Sequence, residues 1–269
     1  MAQKLLISII AATIALFMWT CNSSQNEIEN TPSKEISKEQ QLKNAVAKYP
    51  DSIFLVEDLI EYYRNNGSYD TAISITEDAI KKDSENVELW DIKGALLYEN
   101  GDTLKSIKAY ETVINIYPLP EYLISLGMLY AQTKNSKALT IADALIIADK
   151  AKAQREALFI KGLYYSYTSN RKKAINFFDS CISIDYTYMF AYREKAIALY
   201  DISRYDGAIE VLNRALTIQN NFDEGYYWRG MCYEKLNKKQ EATENYQMAL
   251  LYDKNFIEAK EALSRLGVR

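Results

Sequence analysis

The chain of 269 residues contains no histidine. That absence excludes Ser-His-Asp and Cys-His catalysis and every His-ligated zinc, haem or iron site. Glycine is scarce at nine residues and proline scarcer at four, which argues against a turn-rich all-β chain. Only three cysteines occur, Cys21, Cys181 and Cys232, too few for a disulfide framework. Cys181 and Cys232 fall inside helical patterns and are expected as small buried thiols. Neither charge sign dominates: the formal net charge is -4, so no nucleic-acid-binding field is expected. No glycine-rich phosphate loop or Cys-rich metal spacing is present, and no cofactor is expected. Tyrosine, by contrast, is abundant at 22 residues.

Residues 1–20 carry one positive charge, Lys4, ahead of an uncharged apolar run from Leu5 to Trp19. Fifteen helical residues reach about 22 Å, short of the ~30 Å hydrocarbon core, and suit a signal peptide better than a spanning helix. The run stops at Cys21, and the polar stretch NSSQNEIENTPSKEIS follows. This arrangement resembles a bacterial lipoprotein signal. The resemblance implies cleavage before Cys21, lipid on Cys21, and a place in the cell envelope, toward the outer membrane. Met18, Trp19 and Thr20 depart from the usual small residues of such signals. Residues 21–37 then read as the lipid anchor and a flexible tether, and residues 38–269 as the folded domain.

The strongest signal is internal repetition. Gly94, Gly127, Gly162, Ala196 and Gly230 follow one another at steps of 33, 35, 34 and 34 residues. A second small-residue series, Ala72, Ser106, Ala138, Ala174, Ala208 and Ala242, steps by 34, 32, 36, 34 and 34. The pattern fits paired antiparallel helices of about 13 residues, a small residue marking each close approach. One pair buries its apolar face only against its neighbours.

The residues that carry the period resemble the tetratricopeptide repeat. Trp90, Gly94, Gly101, Tyr110 and Pro118 stand in that family's spacing, as do Tyr226, Gly230, Tyr233, Ala242, Tyr246 and Ala249. Six repeats are read, starting near Ile53, Val87, Pro120, Arg155, Met189 and Asp223. The expected fold is an all-α solenoid of about six helix-turn-helix repeats wound in a right-handed superhelix. Lys38 to Lys48 forms an N-terminal half-repeat and Phe256 to Leu266 a C-terminal capping helix. Two extra residues between Ala138 and Gly162 predict a longer connection over 149–154 that bends or loosens the stack, with a hinge between two lobes as the alternative.

The resemblance implies that the first helices of successive repeats line a groove. Carried onto this sequence, it places Glu57, Glu61 and Asp91 as groove acids and Tyr98, Phe159, Tyr167, Tyr200, Tyr227 and Trp228 as apolar contacts. Residues 53–120 have net charge -7 and residues 121–269 net +3, an asymmetry that selects partners by complementary charge. The clamp with which the cochaperone branch holds a terminal carboxylate is excluded, because Glu57, Glu61 and Asp91 stand at its basic places. Ten tyrosines, among them Tyr63, Tyr110, Tyr130, Tyr192 and Tyr246, are read as framework. The functional expectation is a non-enzymatic, membrane-anchored scaffold for a protein or peptide partner with basic and apolar segments. The alternatives are a glycan-binding lipoprotein serving uptake and a structural spacer.

Overall fold

The computed structural model describes residues 36–268. The expected signal peptide, Cys21 and most of the tether lie outside the described residues. Thirteen helices and no strands occur among the described residues: α1 (Lys38–Lys48), α2 (Ile53–Asn65), α3 (Tyr69–Lys82), α4 (Val87–Glu99), α5 (Thr103–Ile116), α6 (Pro120–Gln132), α7 (Lys137–Tyr167), α8 (Arg171–Ile184), α9 (Met189–Asp201), α10 (Tyr205–Ile218), α11 (Asp223–Lys235), α12 (Lys239–Tyr252) and α13 (Ile257–Arg265). The pairs α2/α3, α4/α5, α9/α10 and α11/α12 are four repeats. The third and fourth share the long α7. The principal packing is between helices adjacent in the chain, with further contact of α9 on α7 and α11. This is the all-α solenoid that the 34-residue period predicts, with α1 as a half-repeat and α13 as the cap.

Each helix pair closes through the same device. Gly67, Gly101, Lys134, Ser169, Ser203 and Asn237 all have positive φ, between 58° and 83°. They follow one another at 33 to 35 residues, one per repeat. In the first, the Gly67 amide donates to Arg64 O at 3.0 Å and the Ser68 amide to Tyr63 O at 2.9 Å. A left-handed residue thus ties off carbonyls at the helix end. Only two of the six are glycine. The other four carry a Cβ in a region that costs an L-residue roughly 1–2 kcal/mol.

Inside each pair, volume is complementary at a fixed offset of sixteen residues. Gly94 lies against Tyr110, Gly162 against Phe178 and Gly230 against Tyr246. A Cβ on any of these glycines would stand 2.5 to 2.7 Å from the ring. In the fifth repeat Ala196 and Leu212 occupy the two places, and in the first Ile60 and Thr76 do, all four buried. The third repeat departs from the scheme. Gly127 faces Ile160 and Ile141, so its space is filled partly from the next repeat.

The expected long connection over 149–154 is corrected. Helix α7 runs through the region, interrupted at the single non-helical residue Asp149 (φ -156°, ψ 89°). The Asp149 Oδ1 accepts from the Lys152 amide at 3.2 Å, so Asp149 caps the first helix of the fourth repeat. The two extra residues are absorbed as helix rather than loop. One apolar core passes beneath the break, joining Val113, Leu126, Leu145, Ala153, Ala157 and Phe178.

Cys181 and Cys232 are both buried, as expected, and free. Burial pushes each thiol up to about 12, which removes thiolate reactivity near neutral pH.

Candidate functional site

The first helices of repeats two to five enclose a cavity of about 370 Å³. Helix α4 contributes Ala95, Tyr98 and Glu99, α6 contributes Met128, Leu129 and Gln132, and α7 contributes Phe159, Leu163 and Tyr167. Tyr188, Phe190, Arg193 and Glu194 close it from the start of α9, and Tyr110 from α5. Six aromatic rings therefore face one space. Phe159 is buried and forms its wall, packed against Phe178 at 5.8 Å and edge-on to Tyr188 at 5.2 Å. Tyr98, Tyr167 and Phe190 are exposed at its rim, Phe190 by 52%.

The charged and amide side chains on this wall are already partnered. Arg64 Nε donates to Glu99 at 2.8 Å, and Arg64 Nη2 to its other oxygen. Arg193 donates to both Glu224 oxygens at 2.7 and 2.8 Å and to Glu194 at 3.1 Å. Its guanidinium also lies 5.3 Å from the Phe190 ring. Gln132 Nε2 donates to the Tyr98 hydroxyl at 2.9 Å. What the cavity offers a visitor is chiefly apolar surface.

A different electrostatic setting begins one helical turn away. Glu57 of α2 lies close enough to feel Glu88 of α4, and Asp91 of α4 close enough to feel Glu121 of α6. Burial pushes the Glu57 carboxyl above the ordinary value, and Glu88 and Asp58 add to this. Burial also raises Asp91, the Tyr110 hydroxyl opposes the rise, and Glu121 adds to it. None of the four forms an ion pair among the described residues. Glu61, by contrast, accepts from Arg64 and from Asn65.

Of the nine groove residues named from sequence, Tyr98, Phe159 and Tyr167 line the cavity. Glu57 and Asp91 stand in the acidic group beside it, and Glu61 is held in local bonds. Tyr200, Tyr227 and Trp228 belong elsewhere, in a half-buried chain of rings toward the C-terminal end. Tyr200 meets Trp228 edge-on at 5.8 Å, Trp228 meets Tyr227 at 5.6 Å, and Tyr227 packs on Phe256 at 4.9 Å.

Known proteins share this architecture. Family patterns described as Tetratricopeptide repeat match residues 156–188 and 223–256, and one described as TPR repeat matches residues 196–237. A tetratricopeptide repeat protein from Parabacteroides merdae superposes with a TM-score of 0.72 over 85% of this chain and 91% of that one, at 21% identity. The chain carries tetratricopeptide repeats. A thermophilic protein of the same kind from Thermus thermophilus aligns with a TM-score of 0.57 over 67% of this chain and 98% of that one, at 15% identity. Among curated sequences it is similar to a DnaJ homolog subfamily C member 7 homolog of Schizosaccharomyces pombe, 22% identical over 210 residues. That match covers 77% of this chain and 40% of the fission-yeast protein.

Within this tetratricopeptide solenoid, two cavity residues escape a reading of helix faces. Tyr110 stands at a framework place, and its ring reaches the cavity because Gly94 leaves room beneath it. Tyr188 precedes the first turn of α9 as its N-cap residue, outside the register that marks groove-facing positions. It belongs instead to a separate 34-residue series, the aromatic residues Tyr188, Phe222 and Phe256 that stand as N-caps of α9, α11 and α13. Among the described residues, no helix is long and apolar enough to cross a membrane.

Proposed function

We propose that this solenoid is a scaffold that holds a segment of a protein partner on the face made by the first helices of its repeats, as part of a bacterial envelope assembly. The observation that carries the reading is the aromatic cavity between α4, α6, α7 and α9, which opens to solvent at Tyr98, Tyr167 and Phe190. Exposed aromatic clusters of this kind are favoured anchors at protein interfaces. Aromatic surface of this kind is suited to holding an apolar side chain of a partner.

Membrane attachment through lipid on Cys21 belongs to the same proposal and rests on the sequence of residues 1–21. Replacing Cys21→Ser abolishes incorporation of labelled fatty acid and moves the protein to the soluble fraction. Continued labelling refutes the assignment of Cys21.

The scaffold reading is tested with a photo-crosslinking residue placed at Tyr98, at Tyr167 or at the exposed Tyr186 outside the cavity. One discrete adduct from both cavity positions and not from Tyr186 supports it. Identical adduct patterns from all three sites overturn it.

A further inference from the structure

The cavity and the acidic group beside it lie along one helix, and their separation defines what kind of segment spans both. On α4, Asp91 precedes Ala95 by one turn and Glu88 precedes Tyr98 by ten residues. At 1.5 Å per residue these intervals are about 6 and 15 Å along the axis. An extended chain advances ~3.3 Å per residue, so about two to five residues of partner cover the same distance.

The two ends differ in what they leave unsatisfied. In the cavity, Glu99 is held by Arg64, Glu194 and Glu224 by Arg193, and Gln132 by Tyr98. An entering polar group finds few free partners, whereas an entering apolar group covers aromatic surface. Below the cavity on the same face of α4 stand Glu88 and Asp91, each with a carboxylate from a neighbouring first helix beside it, Glu57 of α2 by Glu88 and Glu121 of α6 by Asp91, and no Lys or Arg among the described residues pairs with them. Within each pair like charges repel, and a cationic side chain placed between them would relieve that repulsion.

We infer that the partner segment is an extended peptide with one bulky apolar side chain, aromatic or leucine, seated in the cavity, and lysine or arginine side chains about two to five residues away that meet Glu57, Glu88, Asp91 and Glu121. This rests on the scaffold reading above and adds to it the chemistry of the segment. The apolar side chain supplies the anchor. The basic side chains give orientation and reject acidic competitors, because rim charges act mainly on encounter rate and discrimination.

The experiment measures fluorescence anisotropy of labelled Gly/Ser peptides of about ten residues, long enough to span the face, against the full chain. One peptide carries a Trp and two Lys at the inferred spacing. A second replaces the Lys residues with Glu, and a third replaces the Trp with Ala. The first binds at least about tenfold more tightly than either control. Glu88→Gln/Glu121→Gln, two exposed substitutions, reduces its affinity by about threefold to tenfold and flattens its salt dependence. Tyr98→Ala/Tyr167→Ala removes binding, whereas Tyr186→Ala leaves it unchanged. Circular dichroism melts verify that each variant is folded.

Equal affinity for the Lys and Glu peptides overturns the charge assignment and leaves the scaffold reading standing. Binding unaffected by Tyr98→Ala/Tyr167→Ala overturns the cavity as anchor, and with it both readings. Displacement of the peptide by neutral oligosaccharides overturns the assignment to a protein segment.

Discussion

The sixteen-residue pairing of small and large side chains makes a quantitative prediction at Gly162. An alanine Cβ there would lie 2.5, 2.8 and 3.0 Å from three atoms of the Phe178 ring. Carbon atoms rest at about 3.5–4.0 Å, so ring or helix must move by about 1 Å. Phe178 is fully buried and packed on Phe159, which blocks the ring's retreat. Overpacking of this kind costs about 1–3 kcal/mol, against a gain of about 0.5–1 kcal/mol from replacing glycine in a helix. Gly162→Ala should therefore destabilise by about 1–2 kcal/mol. In the Phe178→Leu background the same change should be neutral or stabilising, because Ala196 with Leu212 is already the natural pair one repeat later. The coupling between the two sites should reach about 1–2 kcal/mol. Urea unfolding of the four proteins of the cycle, with hydrogen exchange of α7 and α8 amides as the local readout, measures it. The reasoning fails if Gly162→Ala has the same sign and size in both backgrounds.

Three further outcomes are expected. Replacing Lys134 or Ser203 by glycine relieves a left-handed conformation and should stabilise by about 0.5–1 kcal/mol each in thermal or urea unfolding. Asp149→Ala removes the cap of the fourth repeat's first helix and should destabilise by about 1 kcal/mol, with faster hydrogen exchange at Lys152. At the C-terminal end, Glu234 accepts from Tyr246 at 2.8 Å and from Arg265 at 3.0 and 2.9 Å. The Arg265 and Tyr246 bonds hold its carboxyl below the ordinary value despite burial. Its contribution is therefore complete above the unfolded carboxylate value of about 4.3 and is lost as pH falls through the lower folded value. Glu234→Gln should flatten that part of the acid limb in a pH series of melts, and Arg265→Ala should reproduce the effect.

The helix pairs are legible in the sequence because close packing forces small residues to recur. The starts at Ile53, Val87, Pro120, Met189 and Asp223 coincide with α2, α4, α6, α9 and α11. The left-handed turns are legible at Gly67 and Gly101. Asn237 is a residue type that also tolerates the left-handed region, whereas at Lys134, Ser169 and Ser203 the tertiary fold imposes a conformation that residue type does not announce. The insertion near Asp149 is visible as a count, but a count does not distinguish loop from added helical turn. The cavity is half visible. Tyr98, Phe159 and Tyr167 follow from helix register, whereas Tyr110 and Tyr188 reach it through the space beside Gly94 and through a helix cap. Tyr200, Trp228 and Tyr227 show the converse, since they share the groove register and spend much of their surface on one another and on Phe256.

The apolar interior is divided unevenly along the solenoid. The largest cluster runs from Ile107 to Phe222, while the ends have smaller clusters of their own and α1 buries no residue fully. Nearest-neighbour coupling makes such an array open from its ends. The walls of the cavity at Tyr110, Leu129, Phe159 and Leu163 belong to the central cluster. A solenoid frayed at α1 or α13, by heat, by a protease or by traction on its N-terminus, therefore keeps its binding face until the last cooperative unit melts. The half-repeat α1 and the cap α13 serve as sacrificial buffers for the repeats between them.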